Sequence, residues 1–197
     1  MRTEAMTKAD LDAPLVAAAR NGDRAALEQL IRRHARAAAR LAGRLLGNRE
    51  DAEDVVQESF TKAYLNLGSF RERATFRTWL LRITLNLATD LLRQRSRRPS
   101  PGGLAGQGLE GPPSGAAGPS RRAETREQID HLHQALCDLP PRQKTALQLK
   151  IYEGLTYEEI AAVLGTTEGA ARVYLTLARQ SLRRRFEQVG KSRGVEQ

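Results

Sequence analysis

The chain is poor in several things at once, and each shortage excludes something. One cysteine, Cys137, in 197 residues rules out an internal disulfide and fits a reducing compartment. Aromatic residues make up 5% of the chain, Val and Ile are sparse, and no alternating strand pattern occurs, which argues against a sheet. No apolar run approaches the roughly 18–20 residues that a bilayer span needs. The opening Met-Arg-Thr-Glu-Ala-Met-Thr-Lys-Ala-Asp lacks the apolar core of a signal peptide. A soluble, cytoplasmic protein with no direct membrane insertion is the expectation. No Gly-rich phosphate loop and no nucleophile arrangement is present, so neither an enzyme nor a bound cofactor is expected. Acidic charge is in deficit: 23 Asp and Glu face 32 Lys and Arg, a net +9 with a pI near 10.4. That balance favours a polyanionic partner, nucleic acid or an acidic membrane surface.

What is present falls into two parts. Between Pro99 and Ser120, 12 of 22 residues are Gly or Pro and only Glu110 is charged. Such a stretch packs into nothing and reads as a flexible linker. The flanking segments, 10–98 and 121–188, both carry helical periodicity. The expected fold is all-α: two small helical domains joined by a flexible Gly/Pro-rich linker.

Residues Thr156 to Phe186 read as two helices around a tight corner. Thr156 and Glu159 form a capping box, Ile160, Ala161 and Leu164 stripe a short helix, and Gly165 ends it. Thr166 or Thr167 caps a second helix with Ala171, Leu175, Ala178 and Leu182 inward. This fits an ordinary helical hairpin, or a helix-turn-helix whose second helix enters the DNA major groove.

In the first domain, Asn21-Gly-Asp23 opens a long helix reaching about Leu46, and Gly47-Asn48 stops it. A further helix is expected from about Asp51 to Leu67. Its first turns hold Asp51, Glu53, Asp54, Gln57 and Glu58, an acidic block in a basic domain. Dipole compensation accounts for part of this; a solvated face and a docking surface for a basic partner both remain open. Gly68 to Ala74 reads as a loop, and Thr75 caps the next helix. That helix buries Trp79, Leu80, Ile83, Leu87 and Leu91. Arg82, Asn86, Thr89 and Arg93 share a polar face, and Arg93, Arg95, Arg97 and Arg98 gather at the helix end. C-terminal dipole compensation needs only one or two of these cations; four arginines beside Asn86 point to phosphate and base contacts.

In chain order stand Gly22-Asp23, Asp51-Ala-Glu-Asp-Val-Val-Gln-Glu58, Phe76-x-x-Trp79-Leu80-x-x-Ile83, Asn86-x-x-x-Asp90-x-x-Arg93, Leu139-Pro140 and Gly154-Leu-Thr-Tyr-x-Glu-Ile-Ala161. Together they resemble a bacterial RNA polymerase sigma factor of the extracytoplasmic-function (ECF) type. The resemblance implies an alternative sigma factor whose first domain (region 2) binds core RNA polymerase and opens the −10 element. It implies that Asp51, Glu53, Asp54, Gln57 and Glu58 lie at the polymerase contact. Arg82, Asn86, Arg93, Arg95, Arg97 and Arg98 would face single-stranded −10 DNA, with the loop before Thr75 helping to hold a flipped base. The second domain (region 4) would read the −35 duplex through Thr167, Glu168, Arg172, Val173, Thr176 and Arg179. An anti-sigma factor is the further partner it implies. The linker spans at most about 70–80 Å extended and about 26 Å as a relaxed coil, against promoter elements about 50 Å apart.

One departure is plain. The family usually places Thr-Val-Lys-Ser-Arg-Leu and then Arg-Ala-Arg along the recognition helix, and this chain has Ala170-Ala-Arg-Val-Tyr-Leu-Thr-Leu-Ala-Arg179. In one reading Arg172 reads a base edge, Tyr174 packs at the edge of the helix pair, and apolar contacts to thymine methyls become possible; in the other Val173 and Leu177 enlarge the core or a protein interface. His131, His133 and Cys137 lie close in sequence, but a metal site needs a further ligand, so no metal is expected. A helix-turn-helix regulator or a sigma-like decoy that binds protein only are the alternative readings.

Overall fold

The computed structural model describes residues 8–70, 74–97 and 134–193, and every regular element among them is helical. Helix α1 (Lys8–Arg20) turns at Gly22, whose φ of 89° suits a residue without Cβ. Asp23 then caps α2 (Arg24–Leu46), its Oδ1 accepting from the amides of Ala25 at 2.8 Å and Ala26 at 3.2 Å. Along α2 the buried residues Ala26, Leu30, His34, Ala37, Ala38, Leu41 and Leu46 keep helical spacing, and Gly47 closes it in the left-handed conformation. Helix α3 (Arg49–Leu65) starts two residues earlier than the acidic run suggested, because Asn48 caps it through the Glu50 amide at 2.9 Å. Leu67 belongs instead to a 3₁₀ turn, Leu67–Ser69. Arg20 fixes that turn by donating to the carbonyls of Leu67 and Phe70. Thr75 caps α4 (Phe76–Arg97), accepting from the Thr78 amide at 3.1 Å.

The buried side of α4 differs from the stripe read in the sequence. Phe76, Thr78, Leu80, Leu81, Thr84, Leu85 and Ala88 are buried, whereas Trp79, Ile83, Leu87 and Leu91 are half-buried. The cause is a second neighbour. Helix α4 packs on α2 and α3 and also on a helix of the second half, so burial rotates toward that contact. Thr84 is tolerated there because its hydroxyl donates to the Leu80 carbonyl at 3.0 Å.

Residues 134–137 are helical, and Pro140-Pro141 opens α5 (Pro141–Glu153). Gly154 ends it, and the capping box holds α6 (Tyr157–Leu164): Thr156 donates its amide to Glu159 Oε2 at 2.8 Å and accepts from the Glu159 amide at 3.2 Å. Gly165, at φ 61°, makes the corner into α7 (Glu168–Arg193). Ala171, Leu175 and Ala178 are buried against α5 and α6, as their spacing requires.

The halves share a core, where the sequence suggested two domains on a loose tether. Ala37, Leu41, Leu81 and Leu85 cluster with Leu139, Leu149, Ile160 and Leu175. At the seam Glu153, whose side chain is 2% exposed, receives Arg40 at 2.8 and 2.7 Å and Arg77 at 2.5 Å, with Arg44 at 4.0 Å. Arg77 also donates to the Glu153 carbonyl at 3.0 Å, and Arg44 lies 3.5 Å from the Tyr152 ring centroid. Two helices of the first half thus close on the C-terminus of α5. The linker, 99–120, lies outside the described residues.

A second buried polar pair braces α1 on α2. His34 Nε2 is 2.8 Å from Asp12 Oδ2, and Arg33 donates to Asp12 Oδ1 at 2.6 Å. Burial lowers the His34 pKa below its ordinary value; Asp12 opposes this, while Arg33 and Arg77 add to it.

Candidate nucleic-acid interface

Three surfaces carry the residues singled out in the sequence. The first is the outward face of α3. Glu53, Asp54, Gln57 and Glu58 are exposed, with Glu53 paired to Arg49 at 2.7 Å and Glu58 to Lys62 at 3.0 Å. Tyr64 and Leu65 extend this acidic ridge with apolar surface, 52% and 72% exposed. They were missed in the sequence, although they fall out of phase with the buried Ala52, Val55, Ser59 and Ala63. Asp51 behaves differently. It turns inward and pairs with Arg95 of α4 at 2.5 Å, while its Oδ2 is buried and accepts no hydrogen bond among the described residues. Two residues assigned to separate surfaces therefore meet.

The second surface is a cleft of about 350 Å³ between the end of α3, the 3₁₀ turn and α4. Lys62, Asn66, Ser69, Trp79, Ile83, Asn86, Leu87 and Asp90 line it. Phe70, Phe76 and Trp79 stack beneath, with Phe70 and Trp79 centroids 5.0 Å apart, which keeps one wall aromatic and fixed. An aromatic wall with amide groups at its rim has the chemistry to take an unstacked base. Arg93, Arg95 and Arg97 are exposed along the same helix. Arg82 is exposed too but lies at the seam, its guanidinium 3.5 Å from where a Cβ on Gly165 would stand. Arg98 and residues 71–73 lie outside the described residues.

The third surface is α7. Thr167 is its cap, accepting from the Ala170 amide at 3.2 Å. Glu168 binds Arg172 at 2.6 Å, and the Arg172 guanidinium sits 4.7 Å from the Tyr157 ring centroid. Tyr174 packs at the edge of the core, with Arg142 donating to its hydroxyl at 3.5 Å. Val173 and Leu177 are 53% and 41% exposed, which removes the reading in which they enlarge the core. Thr176, Arg179, Arg183 and Arg184 are exposed around them.

Among the described residues no group of His, Cys, Asp or Glu could hold a metal ion, and no helix is long and apolar enough to cross a membrane. His131 and His133 lie outside the described residues, and Cys137 is exposed, 3.9 Å from Lys144 Nζ.

A helix-turn-helix with a basic flank, joined to a helical unit bearing a cleft and an acidic ridge, is the architecture of a bipartite DNA-binding protein. Comparison with known proteins makes that class specific. Residues 30–98 match the Sigma-70 region 2 model and residues 129–182 the Sigma-70, region 4 model. The chain is 34% identical over 182 residues to the RNA polymerase sigma-H factor of Pseudomonas aeruginosa, covering 90% of this chain and 94% of that protein. It is 34% identical over 176 residues to the ECF RNA polymerase sigma-E factor of Escherichia coli, covering 87% and 92%. Among solved structures, CnrH in complex with the cytosolic domain of CnrY superposes with a TM-score of 0.67 at 28% identity, covering 91% of this chain and 99% of that one. The sigma factor RpoE of Bartonella quintana, bound to the anti-sigma factor NepR, shares the fold with a TM-score of 0.64 at 24% identity. The chain belongs to the sigma-70 family of RNA polymerase sigma factors, within its ECF type.

Proposed function

We propose that this chain is an alternative sigma factor that docks on core RNA polymerase through α3, captures the melted −10 strand in the α3–α4 cleft and reads the −35 duplex with α7. The observation that carries this is the pairing of a cleft walled by Trp79 and rimmed by Asn86 with an outward helix-turn-helix in one chain. The cleft suits an extruded base, whose lost stacking is offset by the aromatic wall and polar rim. The ridge of Glu53, Asp54, Gln57 and Glu58, ending in Tyr64 and Leu65, has the mixed charge and apolar surface of a protein interface. Catalysis would then belong to the polymerase, with this chain supplying recognition and strand separation.

Promoter contact at both elements requires the halves to part. They share a core in the closed form, whereas −10 and −35 elements lie about 50 Å apart. A protein that favours the closed form would oppose initiation, so an anti-sigma factor is proposed as a partner. Its support is that CnrH, similar over nearly the whole chain, was solved with the cytosolic domain of CnrY bound.

Run-off transcription with bacterial core polymerase on genomic fragments from the chain's own source tests the reading. Specific transcripts that need this protein are expected. Absence of binding to core would leave a helix-turn-helix regulator; core binding without transcripts would favour a protein-binding decoy.

A further inference from the structure

The outward face of α7 is short of the groups that usually read base edges. Arg172, which opens it, is engaged by Glu168 at 2.6 Å and lies over the Tyr157 ring. The Thr176 hydroxyl donates to the Arg172 carbonyl at 3.0 Å. Between and beyond them stand Val173 and Leu177, one helical turn apart and both exposed. Neither is needed by the core, which takes Ala171, Leu175 and Ala178 from the opposite side of the same helix.

We propose that Val173 and Leu177 read thymine 5-methyl groups in the −35 duplex, so that this element is specified by apolar contact at two pyrimidines. The inference rests on the sigma-factor reading above and names what its region 4 recognises. The major groove offers the thymine methyl as its apolar marker. Four residues of helix rise about 6 Å, against about 3.4 Å per base pair, which sets the two thymines one or two base-pair steps apart. Charge selects DNA as the occupant: Arg179 and Arg184 are exposed on the same helix and suit flanking phosphates, while Arg172 and Arg183 are paired with Glu168 and Glu187. Two isolated apolar side chains within a basic border also fall short of the roughly 800 Å² per partner that a stable protein interface buries.

The test edits the DNA first and the protein second. Holoenzyme is assembled from core polymerase and this chain, and its promoters are located by run-off transcription. Each −35 thymine is then replaced singly by uracil, which removes only the methyl. At one or two positions affinity is expected to fall about fourfold, the amount one buried methyl is worth. The Val173→Ala and Leu177→Ala holoenzymes should each lose the thymine–uracil difference at one of those positions and keep it at the other. Equal affinity of wild-type holoenzyme for thymine and uracil at every −35 position, with transcription intact, overturns this proposal alone and assigns the pair to protein contact. Absence of any specific transcript overturns the parent reading, and this one with it.

Discussion

Arg40 holds Glu153 through both carboxylate oxygens, Nε at 2.8 Å and Nη2 at 2.7 Å, across 113 positions of sequence. The carboxylate is buried and Arg77 reaches it from a second helix, so one residue of the second half ties down two helices of the first. Removing it strands the largely buried Arg77. Glu153→Ala is expected to lower unfolding stability by on the order of 3 kcal/mol, the low end for a broken buried pair because Arg40 is nearly half exposed. Denaturant titration measures that cost. Small-angle scattering should show a larger radius for the variant under native conditions, and an unchanged radius would mean that the apolar seam alone holds the halves together.

Acid should weaken the fold through His34. An unfolded His34 takes up its proton near pH 6.5, and the folded one only at lower pH because it is buried. The unfolded chain therefore binds more protons between those two values, and stability falls as pH drops through that window. Above about pH 6.5 the His34 contribution is complete. Thermal unfolding between pH 7.5 and 5.5 should show a slope that is smaller in His34→Gln; equal slopes would place the titration elsewhere.

Asn86 stands at the rim of the α3–α4 cleft. Loss of one base-directed hydrogen bond should reduce open-complex formation about tenfold. The Asn86 side chain is exposed, so thermal unfolding of Asn86→Ala should match the parent chain. Permanganate footprinting of melted promoter reads the first effect, and calorimetry the second.

Docking on polymerase should depend on the end of α3. Leu65→Ala and Glu58→Lys are each expected to weaken core binding about tenfold, as truncation of a buried contact or reversal of a complementary charge does. Only the Glu58 effect should shrink at high salt. Core affinity indifferent to both substitutions would move the docking surface off this ridge.

Much of this architecture was legible in the chain itself. Capping groups are local chemistry, which is why Asp23, Thr75, Thr156 and Gly165 marked their helices correctly. The family signature is likewise carried by short motifs such as Asp51-Ala-Glu-Asp54. The buried stripe of α4 was not legible, because its rotation comes from α6, a helix about seventy residues later in the chain. Nor could spacing reveal that Asp51 faces Arg95, or that Arg40, Arg44 and Arg77 converge on Glu153. Only the packing of separate helices brings them together. Exposed apolar residues, by contrast, were findable in principle: Leu65, Val173 and Leu177 all break the phase of their helices.

The Asp51–Arg95 bond joins the ridge proposed to meet polymerase with the arginine row proposed to meet DNA. A phosphate that draws Arg95 away leaves Asp51, already carrying one unsatisfied buried oxygen, without its cation. A protein donor that satisfies Asp51 frees Arg95 for the strand. Occupancy of either side would then favour the other by the same factor, whichever arrives first. Free in solution, the protein would hold its grip on single strands in reserve, and the enzyme it serves would release it.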